Sequence, residues 1–160
     1  TITLNGFSKA YAMTGWRVGY LCAPKELCEA ALKIHQYVML CAPVMGQVGA
    51  LEAIRSAEED KNNMVQEYRL RRNMFVAGLN RIGLHTHVPE GAFYAFPSVK
   101  GTGLSDTEFA ERLLTEQQVA VVPGSVFGIG GEDNLRCAYA VSRKQLTEAL
   151  GRMESFLNGL

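Results

Sequence analysis

The chain has 160 residues, with 16 basic and 16 acidic side chains and no net charge at pH 7. That is one domain's worth of polypeptide, or a domain plus a piece, with no basic stripe for nucleic acid and no charged tail. Apolar residues make up 48%, ample for a core, yet no apolar run approaches the roughly 20 residues of a membrane span.

Residues 1–5 alternate as a short strand, Thr1-Ile2-Thr3-Leu4. Residues 6–16 read as a glycine-punctuated loop, and 17–22 as a second strand, Arg-Val-Gly-Tyr-Leu-Cys. Pro24 suits the first turn of a helix. Leu27, Ala31, Ile34 and Val38 recur behind it at helical spacing. Cys41-Ala42-Pro43 breaks that pattern, and helix resumes from Gly46 to Ile54. Ser56-Ala57-Glu58-Glu59 reads as a capping box. It would open a long helix with Val65, Tyr68, Phe75, Leu79 and Ile82 on one face, ended by Gly83. Arg69, Arg71, Arg72 and Arg81 on this helix are assigned to its solvated face.

The remainder is α/β in character. Gly91 to Pro97 reads as a strand, and Ser105-Asp106-Thr107-Glu108 as a capping box ahead of Phe109, Leu113 and Leu114. Val119 to Val122 reads as a buried strand, 123–133 as a glycine-rich loop, and Leu135 to Ala140 as a strand. Ser142-Arg143-Lys144-Gln145 caps a final amphipathic helix carrying Leu146, Leu150, Met153 and Phe156. A domain junction is expected near residues 50–60. The four cysteines, Cys22, Cys28, Cys41 and Cys137, show no CxxC or metal spacing. They are expected to be buried free thiols in a reducing, cytoplasmic compartment. No segment at the start reads as a secretory or transit signal.

The most informative stretch is Gly6-Phe7-Ser8-Lys9-Ala10-Tyr11-Ala12-Met13-Thr14-Gly15-Trp16-Arg17-Val18-Gly19-Tyr20. A lysine behind small residues, followed eight positions later by the arginine of Gly-Trp-Arg-Val-Gly, resembles the cofactor-lysine motif of class-I aminotransferases. These are fold type I enzymes that depend on pyridoxal 5'-phosphate. The resemblance implies that Lys9 holds the cofactor as a Schiff base and carries the proton at the substrate α-carbon. Arg17 would bind the cofactor phosphate with its planar fork. Many members place a serine hydroxyl on the phosphate three residues before the lysine. Here that position is Gly6, so a backbone N–H or Ser8 is expected to substitute. Gly6, Gly15 and Gly19 are expected to serve close backbone approach and tight turns.

On the strand Leu135–Ala140, Arg136 shares a face with Ala138 and Ala140, opposite Leu135, Cys137 and Tyr139. A mid-strand arginine among small residues has room to face a ligand. The family's arginine for the substrate carboxylate sits in a similar Leu-Arg context after a Pro-Gly-x-x-Phe-Gly loop, here Pro123 to Gly128. The resemblance therefore assigns the α-carboxylate to Arg136. Phe93 and Tyr94 fit either a pocket wall or the core, and Trp16 is assigned to packing. Gln47 and 41–46 correspond to a subunit-contact stretch of the family.

Two other patterns fail on their own terms. The glycine loop 124–131 lacks the Lys-Ser/Thr ending of a P-loop and leads into a strand, where dinucleotide binding needs a helix. His85-x-His87 offers no third ligand nearby.

The resemblance covers nearly the whole chain but only the C-terminal part of the family's enzyme. Residues 1–55 are thus expected to be a remnant of the large cofactor domain, and 56–160 the small C-terminal α/β domain. The intact enzyme is expected to be a homodimer passing amino groups from amino acids to 2-oxo acids, of the aspartate/aromatic type. The isolated piece is expected to be inactive. A lyase, synthase or racemase on the same scaffold would keep Lys9 and Arg136 as well. An aminotransferase-like effector domain of a transcription regulator stays open too, although such proteins usually carry Pro-Gly-Leu-Arg after the lysine where this sequence has Thr-Gly-Trp-Arg.

Overall fold

The computed structural model describes residues 1–160, which form an α/β chain of two compact units, Thr1–Met64 and Val65–Leu160. In the first unit, β1 (Thr3–Gly6) and β2 (Gly19–Cys22) pair antiparallel, and Gly6 opposite Gly19 closes the ladder. Gly19 is required there, because a Cβ on it would lie 2.9 Å from the Asn5 carbonyl oxygen. Gly15 meets no such limit, since a Cβ there would stand in open space. Two helices follow, α1 (Lys25–Val38) behind Pro24 and α2 (Val44–Ser56) behind Pro43. Each proline occupies the N-cap, where its fixed φ suits the chain entering a helix. The core of this unit is small: Phe7, Met13 and Ala50, with Tyr11, Val18 and Ala53 against them. No residue of α1 is buried, and Tyr37, Leu40 and Met45 are largely exposed.

The helix α3 (Glu58–Arg81) contains the boundary between the units. It ends on Gly83 at φ +91°. The Leu84 N–H returns to the Leu79 carbonyl and the Gly83 N–H to that of Asn80, a Schellman closure that needs a residue tolerant of positive φ.

In the second unit, β3 (Tyr94–Ala95), β4 (Val122–Pro123) and β5 (Leu135–Ala138) form a three-stranded antiparallel sheet with β5 in the middle. Two helices complete it, α4 (Asp106–Gln117) and α5 (Arg143–Asn158). Leu135, Cys137 and Tyr139 point into the core with Phe75, Leu79, Phe109, Leu113, Leu146 and Met153. Tyr139 also donates its hydroxyl to the Ala92 carbonyl at 3.1 Å. Both helices carry working caps. Ser105 accepts from the Glu108 N–H, and Ser142 with Gln145 makes a complete capping box.

Several expectations are corrected. Ser56 does not cap α3: it is the last residue of α2, and its hydroxyl donates to the Glu52 carboxylate one turn back. Arg17 lies outside the second strand in the left-handed region, φ 56°, because it closes a 3-10 turn over Thr14–Trp16. Residues 119–122 are only partly covered and contribute a two-residue strand. Gly91–Pro97 likewise shortens to Tyr94–Ala95. Of the four cysteines only Cys137 is buried, while Cys22 and Cys41 are exposed and Cys28 is half-buried. Alternation and apolar neighbours on β1, β2 and α1 do not bury a residue when no second layer covers them.

Candidate functional site

Lys9 sits in a loop whose two flanks are anchored. Phe7 and Met13 are buried on either side of it, and the Tyr11 and Met13 N–H groups both donate to the Phe7 carbonyl. The Ala12 N–H donates to the Lys9 carbonyl at 3.3 Å, with Ala12 itself at φ 53°. The Thr14 hydroxyl donates to the Ser8 carbonyl at 2.9 Å. Lys9 is therefore an exposed side chain on a backbone fixed from both ends.

Arg17 is exposed. One guanidinium nitrogen donates to the Thr14 carbonyl at 2.9 Å, and no carboxylate pairs with it. Arg17 lines a concavity of about 410 Å³ with Ala12, Gly15, Trp16, Pro43, Met45 and Gly46. The backbone is close there, since a Cβ on Gly46 would lie 2.8 Å from the Trp16 carbonyl oxygen. The Trp16 ring packs over Gly49, where a Cβ would come within 2.8 Å of it. Near Lys9 the Gly6 N–H is already taken by the Asn5 side chain at 2.8 Å. The half-buried Ser8 makes no side-chain hydrogen bond within the chain, so its hydroxyl, rather than the Gly6 backbone, remains to donate. A primary amine, an arginine with no carboxylate partner and a hydroxyl on one pinned loop suit a ligand with an aldehyde and a phosphate.

The second cluster belongs to the Val65–Leu160 unit. Arg136 is half-buried at the middle of β5, on the face shared with Ala138 and with Tyr94 and Val122 of the flanking strands. Its guanidinium carbon lies 4.7 Å from the Tyr94 ring centroid and 4.6 Å from that of Phe127. Its side chain makes no ion pair or hydrogen bond with any residue of the chain. Rings cover guanidinium faces, while the N–H donors lie along the edge. Such an arginine suits an external carboxylate.

The Phe93 ring lies between two others, stacked with Tyr68 at 5.9 Å and tilted against Tyr94 at 4.6 Å. His85 and His87 meet edge to face at 5.2 Å, and no cluster of three metal-ligating side chains exists. No helix is long and apolar enough to cross a membrane. Sequence reasoning missed Asp106. Its buried carboxylate accepts from the Ser125 N–H at 2.7 Å, and that bond holds its pKa below the usual carboxylate value. The only signal was an aspartate inside a capping sequence, which reads as a helix start. The ring of Phe127 was visible only as part of a loop motif.

The family described as aminotransferase class I and II matches residues 1–153. A putative aminotransferase, YugH, of Bacillus subtilis is 58% identical over 158 residues, covering 99% of this chain and 41% of that protein. The aromatic-amino-acid aminotransferase 2 of Thermococcus litoralis is 45% identical over 159 residues, covering 98% of this chain and 41% of its own length. The crystal structure of an aromatic aminotransferase from Pyrococcus horikoshii superposes with a TM-score of 0.96 at 43% identity, covering 99% of this chain and 43% of that one. The chain thus spans about two fifths of the length of the proteins it matches.

Proposed function

The chain belongs to the class I and II aminotransferase family, and from that premise we propose that it is the lysine-bearing C-terminal part of a pyridoxal-phosphate-dependent amino-acid aminotransferase. Residues 1–55 would belong to a large cofactor domain and 56–160 to a small C-terminal one. The whole enzyme would be a cytoplasmic homodimer. The similar proteins named for aspartate and for aromatic amino acids favour that branch of substrates, with a 2-oxo acid as amino acceptor.

When bound, the cofactor supplies an electron sink for the substrate α-carbon. Lys9 would hold it through the ε-amine, and that amine, once free, would carry the proton at the substrate Cα. Arg17 and Ser8 would hold its phosphate oxygens. Arg136 takes the α-carboxylate with two parallel N–H bonds and so orients the Cα–H bond.

The observation that carries this reading is Lys9 on a loop pinned at Phe7, Met13 and Thr14. Borohydride reduction of the intact cofactor-loaded protein, followed by peptide mapping, tests it. The label is expected on the peptide that contains Lys9. Recovery only on Lys25 or Lys33 would sink it.

A further inference from the structure

An arginine side chain has many rotamers, and one meant to receive a carboxylate must be held without using up its donors. A carboxylate neighbour would hold it but would occupy those donors. Arg136 is held differently. Its two ring neighbours come from either side of the central strand: Tyr94 from β3, and Phe127 from the turn that follows β4. Both lie within the distance at which a ring attracts a cation.

Phe127 is 52% exposed, so burial in the core does not fix it. Its backbone is fixed instead. Asp106 accepts from the Ser125 N–H at 2.7 Å, and the Gly124 N–H donates to the Asn134 carbonyl at 2.8 Å. The Gly128 N–H returns to the Ser125 carbonyl at 3.1 Å. Gly124 and Gly131 touch so closely that a Cβ on Gly124 would sit 2.1 Å from the Gly131 oxygen. A buried carboxylate is costly unless its hydrogen bonds compensate. Asp106 is one of only two buried polar or charged residues in the chain, and its partner is this turn.

We propose that Phe127, with Tyr94, is a positioning residue for Arg136, and that the turn anchored on Asp106 exists to hold the Phe127 ring over the guanidinium. The rings set the guanidinium plane and leave its N–H edge open to a carboxylate. The inference rests on Arg136 receiving the substrate α-carboxylate.

A double-mutant cycle on the intact holoenzyme tests it, with Phe127→Leu, Arg136→Ala and the pair, read as kcat and KM for the amino-acid substrate. Phe127→Leu is expected to lower kcat/KM about tenfold, mostly through KM, with cofactor content unchanged. Phe127→Tyr, which keeps a ring, is expected to restore most of the loss. In the Arg136→Ala background Phe127→Leu is expected to add nothing. Full additivity, or equal losses in the Leu and Tyr variants, would overturn the positioning role while leaving Arg136 as the carboxylate residue. An Arg136→Ala enzyme with unchanged KM would overturn the reading of Arg136, and the positioning role with it. If Phe127→Leu does not fold, Tyr94→Leu runs the same cycle with the same expected and overturning results.

Discussion

The Thr14 hydroxyl donates to the Ser8 carbonyl across the bend that carries Lys9, at 2.9 Å. It ties the residue before the lysine to the turn that ends in Arg17, and the Arg17 guanidinium returns to the Thr14 carbonyl. Thr14→Val keeps the shape and removes the donor. A net hydrogen bond of this kind contributes about 0.5–1.5 kcal/mol, less where water competes. Global stability should therefore change little. The Ala12 and Met13 amides should exchange faster, as hydrogen exchange read residue by residue would show. Unchanged protection at both amides would mean that Phe7 and Met13 alone fix the loop.

Arg17→Ala should act on the cofactor rather than on substrate. In the proposed role it would lose a charge-assisted phosphate contact worth about 1.5–3 kcal/mol, so cofactor affinity in the intact protein should fall by tens of fold. Equilibrium dialysis against pyridoxal phosphate reads this directly. A variant with full cofactor affinity and an altered KM for amino acids would reverse the roles given to Arg17 and Arg136.

The sequence carried most of the second unit on its surface. Burial alternates along Leu135, Arg136, Cys137, Ala138 and Tyr139 as the pleat requires. The Ser105 and Ser142 caps and the Gly83 stop also lie where residue chemistry puts them. What failed was local chemistry with two possible partners. Ser56 had a choice between capping the next helix and bonding back to Glu52, and it bonds back. The left-handed Arg17 was hidden because the residue alone does not favour positive φ. The Asp106–Ser125 bond joins residues 19 apart, a separation that no periodicity reports.

Asp106 should make the second unit acid-sensitive. The Ser125 N–H lowers its pKa in the folded state. The stability it contributes is thus complete above the ordinary aspartate pKa of about 3.9. It is lost as pH falls through the lowered folded value. Asp106→Asn removes the ionisation while keeping an oxygen that can accept, so its acid unfolding should begin at lower pH relative to its own neutral stability. A carbon-detected titration of the Asp106 carboxyl checks the premise, and a midpoint at or above the ordinary aspartate value would remove it.

The thiols should separate by burial. Burial pushes the Cys137 thiol up to about 12, so at pH 8 it is both covered and protonated. Cys22 and Cys41 are exposed and should react with a disulfide reagent within minutes. Cys28 is half-buried with its Sγ donating to the Ala23 carbonyl at 3.3 Å, and should lag behind them. Cys137 should be modified only after denaturant is added. Rapid labelling of Cys137 in buffer would show that the β5 core opens easily.

The two units should differ most in how they hold together. Leu79, Leu84, Phe109, Leu113 and Leu135 are each 0% exposed, whereas the least exposed apolar residues of the first unit stand at 7%. Fully burying a side chain of this size contributes about 1.5–3 kcal/mol, so the second unit has the material for an independent core. The first unit rests on Phe7, Met13 and Ala50, with a two-stranded sheet that is marginal alone in water. In the 160-residue chain, amides of α4, α5 and β5 should exchange only with global unfolding, while those of β1, β2 and α1 should exchange orders of magnitude faster. The same preparation should show no transamination when pyridoxal phosphate and an amino acid are added, because loosening of β1 and β2 releases the Lys9 loop between them. Equal protection across both units, or turnover by the purified chain, would show that the small core around Phe7 is sufficient by itself.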